Sequence, residues 1–525
     1  MNTKALRVFL FFGIATGGIV AIIAALASLQ WRYVHDSPLM IYAGWLVSQG
    51  VVPYRDFFDM NMPGTYLIMW GMGKIFGWGD VGFRIFDMCC LASISTSTYL
   101  WLRPAGKLSA VAAPTAFALW YLSFGPAQSL QREYLALVPF TVMLATSATG
   151  KAPISVIRIL FSGALAGLIF AIKPQLLLLS LPLFLVIGRQ DQPPIRPWLQ
   201  LVIFGTGVCI TIGAIVLYLI TTNSLRPFLK IALNYWPLYT HLTGGHTPIS
   251  GFQRVLYIIK ETCGGILTFY TLIAMVGLLV LYDTGNNQHL LRLLVGLIVA
   301  AAICPAIAGQ FWRYHWIPFH YLALCAASMS AIAMERRSIV GIIPIALLTF
   351  TLVVHSAKIA DDLAWRWKGN RPEVRVKNGV PDEIAQFLRS HLKAGDTVQP
   401  LDWTGGAVHG MLMARATLAT RFMYDFHFYH HINSPFVSKL RREFLNELDV
   451  KKPRFIIQVL ENKPWPTGTN TTRDFPELQS LLDQCYEPAY QGATYRILEI
   501  RHSMPNHPVH PTSLRSAAKP VRWVK

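Results

Sequence analysis

Long apolar runs constrain this chain more than any other feature of its sequence. About eleven stretches of roughly 17 to 22 residues are dominated by apolar side chains, from 8–29 to 339–356. Runs of this length cross the hydrocarbon core of a bilayer as α-helices. Charged residues make up only 14% of the 525 positions, whereas soluble proteins contain about 25%. The sequence therefore predicts an α-helical polytopic membrane protein.

Basic residues between the apolar runs predict how the chain is oriented. We expect the spans at about 8–29, 81–102, 107–124, 133–149, 155–172, 174–188, 198–221, 263–282, 290–308, 317–334 and 339–356. Lysine and arginine concentrate in alternate loops, which places the N-terminus in the cytoplasm and the C-terminus outside the inner membrane. The first run is too long for a cleaved signal, so we expect an uncleaved anchor.

The position of the basic residues in the sequence favours membrane lipids over nucleic acid as partners. The formal net charge is +19, from 46 basic and 27 acidic residues. The basic residues lie beside apolar runs, as topology control and anionic lipid head groups require. No basic stripe with interleaved aromatic residues lies on a soluble unit, so we expect membrane lipids and not nucleic acid as partners.

The composition changes after the last apolar run and predicts four parts of the chain. We expect a transmembrane domain at 1–356, a basic linker at 357–380, a soluble α/β domain at 381–501 and a disordered tail at 502–525. Periodicity in the soluble part predicts helices at 381–393, 435–448 and 474–482, and strands at 396–402, 454–460 and 493–500. At roughly 130 residues, this domain is large enough to bury its own core.

The loop after the first span, residues 31–63, carries three carboxylates and predicts two short helices. The helices are expected at 37–49 and 64–76, lying in the membrane interface. Asp36 immediately precedes the first of them, so it is either part of a helix N-cap or a general base held beside the membrane. A sugar hydroxyl is a poor nucleophile, and a positioned carboxylate activates it.

Two further acids in this loop, Asp56 and Asp59, are spaced i, i+3 around two phenylalanines. They either belong to a solvated turn, bind a cation, or orient a donor sugar by accepting hydrogen bonds from its hydroxyl groups. The sequence alone leaves these interpretations open.

Charged residues recur at the predicted outer ends of later spans. Arg132 and Glu133 begin the fourth span, Lys173 precedes a proline at a break, and Arg313 and His315 lie in a late loop. Fixed cations can hold a phosphate leaving group, and arginine can do so with two hydrogen bonds. The alternatives are local ion pairs, acids at helix starts, and long cations that snorkel to the interface.

The cysteines and a cluster of histidines give no metal site. The seven cysteines show neither zinc-ligand spacing nor a disulfide framework. His427, His430 and His431 have spacings that suit one helix face, but no second motif matches them. We therefore predict ordinary surface histidines, and nothing supports a divalent metal.

The loop at 31–63 resembles the first outer loop of the C-type glycosyltransferases, in particular the bacterial relatives of dolichyl-phosphate-mannose protein mannosyltransferases. The resemblance lies in an acid soon after the first span, a short helix, the step GVVPYRD, a second acid and a proline-initiated helix. Weaker resemblances are QREYLALVPF (131–140), FAIKPQLLLLSLPLF (170–184) and RYHWIPFHYLAL (313–324). Many relatives have Asp-Glu where this chain has Asp36-Ser37, and some have Lys-Pro-Pro where it has Asn61-Met62-Pro63.

The resemblance implies an inverting glycosyltransferase that moves a hexose or pentose from a polyprenyl-phosphate carrier to an acceptor outside the membrane. The acceptor would be a glycolipid, an envelope glycan or a protein. Asp36 would be the catalytic base, Arg132, Lys173, Arg313 and His315 would hold the carrier phosphate, and no cofactor is implied. Glu133 would complete an acidic site with Asp36.

Two other functions remain open at this point. A transporter or lipid flippase would have ionisable residues in mid-span and repeated halves. Asp87 and Lys74 lie near apolar runs but do not form a series of such sites. A non-catalytic membrane scaffold that binds an envelope partner through its soluble domain is the third interpretation.

Overall fold

The computed structural model describes residues 3–147, 155–183, 195–285, 287–336, 342–368, 379–461 and 465–501. The described α-helices are α1 (Thr3–Ser28), α2 (Asp36–Ser48), α3 (Pro63–Phe76), α4 (Asp80–Leu102), α5 (Lys107–Ser123), α6 (Arg132–Ser147), α7 (Val156–Ile172), α8 (Pro197–Thr221), α9 (Leu225–Asn234), α10 (Trp236–Thr240), α11 (Gly251–Ile266), α12 (Phe269–Thr284), α13 (Gln288–Ala308), α14 (Ile317–Ser328), α15 (Ile342–Trp367), α16 (Val380–His391), α17 (Ala407–Ala414), α18 (Pro435–Lys451) and α19 (Pro476–Cys485). The predicted tail lies outside the described residues.

Apolar helices make this an integral membrane protein. Among the described residues, five helices are long and apolar enough to cross a bilayer, namely α1, α4, α8, α13 and α15. The pair α11 and α12 passes the same test together, with a bend of 61° between them. The other predicted spans coincide with shorter helices, and only Pro174–Leu183 of the predicted span 174–188 is described as helical.

The chain breaks between two apolar segments at Lys173, where the sequence predicts it. Helix α7 ends at Ile172, and Lys173 is extended, with φ −153° and ψ 100°. The residue before a proline is pushed out of the helical region because the proline ring clashes with its backbone. Pro174 then begins a short 3₁₀ segment (Pro174–Ser180). The break leaves the Lys173 side chain between two helical ends.

A five-stranded sheet with helices forms the C-terminal domain. Its strands are β1 (Thr397–Leu401), β2 (Thr417–Leu418), β3 (Phe455–Val459), β4 (Tyr486–Gln491) and β5 (Tyr495–Ile500), in the order β2-β1-β3-β5-β4. Strands β2, β1 and β3 are parallel, and β3, β5 and β4 are antiparallel. The six predicted elements are present within a few residues. Helix α17 and strands β2 and β4 are not predicted, because they are short or polar.

Two predictions from the sequence need correction, one about the linker at 357–380 and one about helix α2. Helix α15 continues to Trp367, so the predicted linker at 357–380 begins as helix, and residues 369–378 lie outside the described part. Helix α2 is present, but it is not a half-exposed interfacial helix, since its residues 37–46 are all buried. It packs between α3 and α17. The Tyr42 hydroxyl donates to the Ala416 carbonyl oxygen at 2.8 Å, so the C-terminal domain covers the first loop.

A buried ion pair inside α4 supports the start of the first loop. Arg84 donates to Asp87 one turn further on and to the Ser129 hydroxyl at 2.8 Å, and both ionised side chains are fully buried. The guanidinium of Arg84 also lies 4.7 Å from the ring centroids of Trp31 and Tyr33. This pair therefore supports the loop residues that lead to Asp36.

Breaking this pair is expected to destabilise the protein strongly. Arg84→Met leaves the buried Asp87 without its ion-pair partner, which costs about 3–5 kcal/mol. The double variant Arg84→Met with Asp87→Leu is expected to recover most of the loss, because it leaves no unpaired charge. Melting temperatures of the detergent-purified protein measure the effect. Arg103→Gln, at an exposed position just after α4, is the control and should melt like the wild type. Equal melting of all variants would contradict a structural role.

Candidate active site

Asp36 begins α2 but does not act as its cap. The N-cap residue is His35, whose φ of 56° is in the left-handed region that non-glycine residues rarely adopt. The Asp36 carboxylate is turned toward two other helical segments. Its Oδ2 atom accepts from Arg132 Nη2 at 3.0 Å and from the Tyr314 hydroxyl at 3.2 Å. Among the described residues, no side chain or backbone group donates to Oδ1, which leaves one oxygen free to accept a proton.

A second acid–base pair lies directly beside the first. Glu133 follows Arg132 at the start of α6, and its Oε1 atom is 2.8 Å from Lys173 Nζ. His315 Nε2 lies 3.7 Å from the same oxygen. Burial, reinforced by the positive charge of Lys173, lowers the pKa of His315 to about 3, so this imidazole is neutral at pH 7. The structure thus brings Asp36, Arg132, Glu133, Lys173 and His315 together in one cluster.

The two cations of this cluster line a cleft of about 430 Å³, which we call the Arg132–Lys173 cleft. Its other walls are largely apolar and come from the first loop, α7, α10 and α13. They include Met60, Met62, Ile172, Trp236 and Ile307. A narrow apolar cleft with two cations at one side suits a phosphate attached to a hydrocarbon chain.

Asp59 is buried at the joint between the first loop and the C-terminal domain. It accepts from the backbone N–H groups of Met60 and Asn61, at 2.5 and 3.2 Å, and from the Tyr424 hydroxyl at 3.2 Å. Burial raises the pKa of this carboxyl above its ordinary value. Asp59 therefore shapes the turn whose next residues line the Arg132–Lys173 cleft. Its predicted contact with a sugar stays a prediction.

Asp56 lies in a solvent-facing turn, apart from the cluster around Asp36. It forms an ion pair with Arg55 at 2.8 Å and accepts from the Val52 N–H at 2.8 Å. The hydrogen bond from Arg55 lowers the pKa of the Asp56 carboxyl. These contacts agree with the turn interpretation, and they make Asp56 a useful control position.

The structure does not bring Arg313 to the cluster, although its neighbours in the chain are there. Tyr314 and His315 turn inward, whereas Arg313 is exposed and lies over the Phe124 ring at 5.3 Å. Lys358 lies over the same ring at 4.4 Å, and both cations line a separate cavity of about 460 Å³. The prediction that Arg313 shares one phosphate with Lys173 is therefore not supported by this geometry.

Tyr314 is a residue at the candidate site that the sequence did not predict there. An aromatic residue in this loop indicates an interface anchor, yet the Tyr314 hydroxyl contacts the Asp36 carboxylate. Hydropathy carries no signal for this contact, because the two residues are 278 positions apart.

His427, His430 and His431 are buried, so the prediction that they are surface histidines is wrong. The Tyr235 hydroxyl lies 2.9 Å from both His427 Nδ1 and His430 Nε2, and His430 Nδ1 lies 2.9 Å from His431 Nδ1. Tyr235 stands between α9 and α10, so these contacts join the membrane part to the C-terminal domain. Among the described residues, no cluster of histidine, cysteine, aspartate or glutamate could hold a metal ion.

The burial of these three histidines predicts that the protein loses stability at acidic pH. Burial lowers the pKa of His427 and His430 well below the ordinary value, and that of His431 to about 4. The unfolded state then binds more protons below about pH 6.5, so stability is lost as the pH falls. We expect the melting temperature to drop between pH 7.5 and 5, with a smaller drop in His430→Gln. His391→Gln, an exposed change on α16, should behave like the wild type, and identical pH profiles for all three proteins would contradict the prediction.

The apolar helices, the acid-bearing first loop and the C-terminal α/β domain define a polytopic membrane protein with the fold of the C-type glycosyltransferases. Among solved structures, it is similar to ArnT from Cupriavidus metallidurans bound to undecaprenyl phosphate. The TM-score is 0.56 at 12% sequence identity, over 95% of this chain and 98% of that chain. The same protein in the apo state gives a TM-score of 0.55 at 14% identity, over 92% of this chain and 97% of that chain. No protein-family model and no curated protein matches the sequence.

Proposed function

We propose that this protein is an inverting glycosyltransferase that transfers a sugar from a polyprenyl-phosphate carrier to an acceptor hydroxyl. The observation that carries the proposal is the ion pair of Asp36 with Arg132, because Arg132 and Lys173 line an apolar cleft. This arrangement combines a carboxylate base with two phosphate-binding cations beside a surface for a hydrocarbon chain. One of the similar structures is bound to undecaprenyl phosphate, which supports a carrier of this class.

The proposed reaction is a single displacement at the anomeric carbon. Asp36 Oδ1 accepts the proton of the acceptor hydroxyl while the acceptor oxygen attacks. The bond between the anomeric carbon and the phosphate oxygen breaks at the same time, and its electron pair leaves with the phosphate. Arg132 and Lys173 neutralise the charge that develops on the leaving group. Attack opposite the leaving group inverts the configuration at this carbon.

The neighbouring groups have supporting roles in this proposal. Tyr314 and Arg132 hold Asp36 through Oδ2, so that Oδ1 faces the acceptor. Glu133 orients Lys173, and neutral His315 completes the cluster without adding charge. Because Lys173 and Glu133 neutralise each other in the free protein, the arriving phosphate must compete with Glu133 for the lysine.

The proposal includes an orientation in the membrane. We propose that the first loop and the C-terminal domain lie outside the inner membrane, with residues 1–356 and 381–501 as the two folded parts. Reporter fusions after Gly125 and Lys358 test this orientation. A cytoplasmic reporter signal at Gly125 would place Arg132 on the wrong side for extracytoplasmic transfer.

Transfer of labelled sugar in reconstituted proteoliposomes tests the activity. A panel of polyprenyl-phosphate hexoses and pentoses would be offered with glycolipid, glycan and peptide acceptors. We expect label to leave one carrier and to appear on one acceptor class with inverted anomeric configuration. If the folded, reconstituted protein transfers sugar from none of the donors, the proposed function is wrong. If the product retains the anomeric configuration of the donor, the single-displacement mechanism is wrong.

A further inference from the structure

A third charged cavity lies where the first loop, α9 and α18 meet. Its volume is about 430 Å³, and it shares no lining residue with the Arg132–Lys173 cleft. Its apolar lining includes Tyr54, Phe58, Ile231, Phe436 and Leu440. The charged residues that line it are Arg55, Arg226, Lys230, Arg421, Lys439 and Glu443. We call this site the basic cavity.

The positive charge of the basic cavity is not balanced by the protein. Glu443, its one lining carboxylate, already lies 3.6 Å from Arg421 and 3.8 Å from Lys439. Arg55 is engaged by Asp56. Two cations, Arg226 and Lys230, form no ion pair with any described carboxylate.

The two unpaired cations also face like charge at close range. Arg226 and Lys230 are one turn apart on α9, where such a pair is destabilising. Burial, together with repulsion from Lys439, lowers the pKa of Lys230. Like charges gathered around a cavity are stabilised when an anion with several oxygen acceptors enters it.

Two exposed leucines on helix α9 indicate that the basic cavity lies at the membrane interface. Leu229 and Leu233 lie on the same helix, one turn apart, and are 46% and 74% exposed. A short helix with one exposed apolar row and one row of cations is typical of the membrane interface, where the apolar row enters the lipid. The cations of α9 then stand at the depth of lipid head groups.

We propose that the basic cavity binds the phosphate-bearing head group of an anionic membrane lipid. The head group would bridge three parts of the chain, with the first loop contributing Arg55, α9 contributing Arg226 and Lys230, and the C-terminal domain contributing Arg421 and Lys439. This site would hold lipid whether or not the Arg132–Lys173 cleft is occupied, and it does not depend on the proposed transferase reaction.

Lipid titration of the purified full-length protein, followed by native mass spectrometry, tests the site. The probes are dioleoyl phosphatidylglycerol, dioleoyl phosphatidylcholine and inorganic phosphate. We expect phosphatidylglycerol to bind more tightly than phosphatidylcholine. Lys230→Gln should weaken phosphatidylglycerol binding about tenfold, the value of one charge-assisted hydrogen bond. Lys260→Gln removes the same charge from an exposed position on amphipathic α11 and is the matched control.

The outcomes separate the lipid from other occupants. Equal binding of the two lipids, or equal loss in Lys230→Gln and Lys260→Gln, would overturn the proposal. Displacement of phosphatidylglycerol by millimolar inorganic phosphate would show that the site takes free phosphate instead of a lipid. An unchanged melting temperature of Lys230→Gln confirms that the variant is folded.

Discussion

Asp36→Asn is expected to reduce sugar transfer by about 10²- to 10⁴-fold, the contribution of a positioned general base. The asparagine side chain has the same shape, and its carbonyl oxygen can still accept from Arg132 and Tyr314. The variant is therefore expected to fold normally and to bind the donor, while it cannot take the acceptor proton. The initial rate of transfer at saturating donor measures the loss, which should fall on kcat.

Asp56→Asn is the matched control for this experiment. The substitution makes the same chemical change in the same loop, but Asp56 lies in a turn with Arg55, away from the cluster. We expect nearly wild-type transfer from this variant. Equal rates for Asp36→Asn and the wild type would refute the assignment of Asp36 as the base.

Lys173→Met is expected to reduce kcat/KM for the donor by about 10²- to 10³-fold, because it removes one of two cations that stabilise the leaving phosphate. The substitution also leaves Glu133, which is 2% exposed, without its cation, and this destabilises the fold. Lower stability then adds to the loss of transfer. A second substitution separates the two effects. Lys173→Met with Glu133→Gln removes the stranded charge and should restore the melting temperature without restoring transfer.

Affinity for the polyprenyl-phosphate carrier is the decisive measurement for this pair of variants. A titration with unlabelled polyprenyl phosphate should show weaker binding in both the single and the double variant. If the double variant regains both stability and transfer, Lys173 is only a partner of Glu133, and the phosphate is held elsewhere. His391→Gln, on the exposed face of α16, should bind the carrier like the wild type.

The membrane helices and the soluble domain were predictable from the sequence because their signals are local. Apolar runs give the spans, and the proline after Lys173 gives the break that frees this lysine from its helix. The acid at position 36 stands out because it follows the first span directly. Each of these inferences uses residues within one element, where hydrophobicity and backbone sterics decide the structure.

The partners of those residues were not predictable, because they come from distant parts of the chain. Arg313 and His315 are two positions apart, yet a 3₁₀ turn separates their side chains. Arg313 lines the cavity that also contains Lys358, whereas His315 is buried beside Glu133. The buried histidines pair with Tyr235, nearly 200 positions earlier. Nothing in the spacing of the histidines in FHFYHH (426–431) indicates their contacts with Tyr235. The burial of α2 was not predictable for the same reason, because α2 packs against the C-terminal domain, which is distant in the sequence.

This cover also has a consequence for how the protein is made. Asp59 contacts Tyr424 across 365 positions of the sequence, and Phe58 donates a backbone hydrogen bond to Arg421. The ribosome adds about 5–20 residues per second, so the first loop emerges roughly 20–70 seconds before the segment that covers it. During this interval its aromatic residues lack their final neighbours. The first loop therefore reaches its final packing late, although it is among the first parts to be synthesised. A nascent chain stopped before Arg421 would lack these contacts.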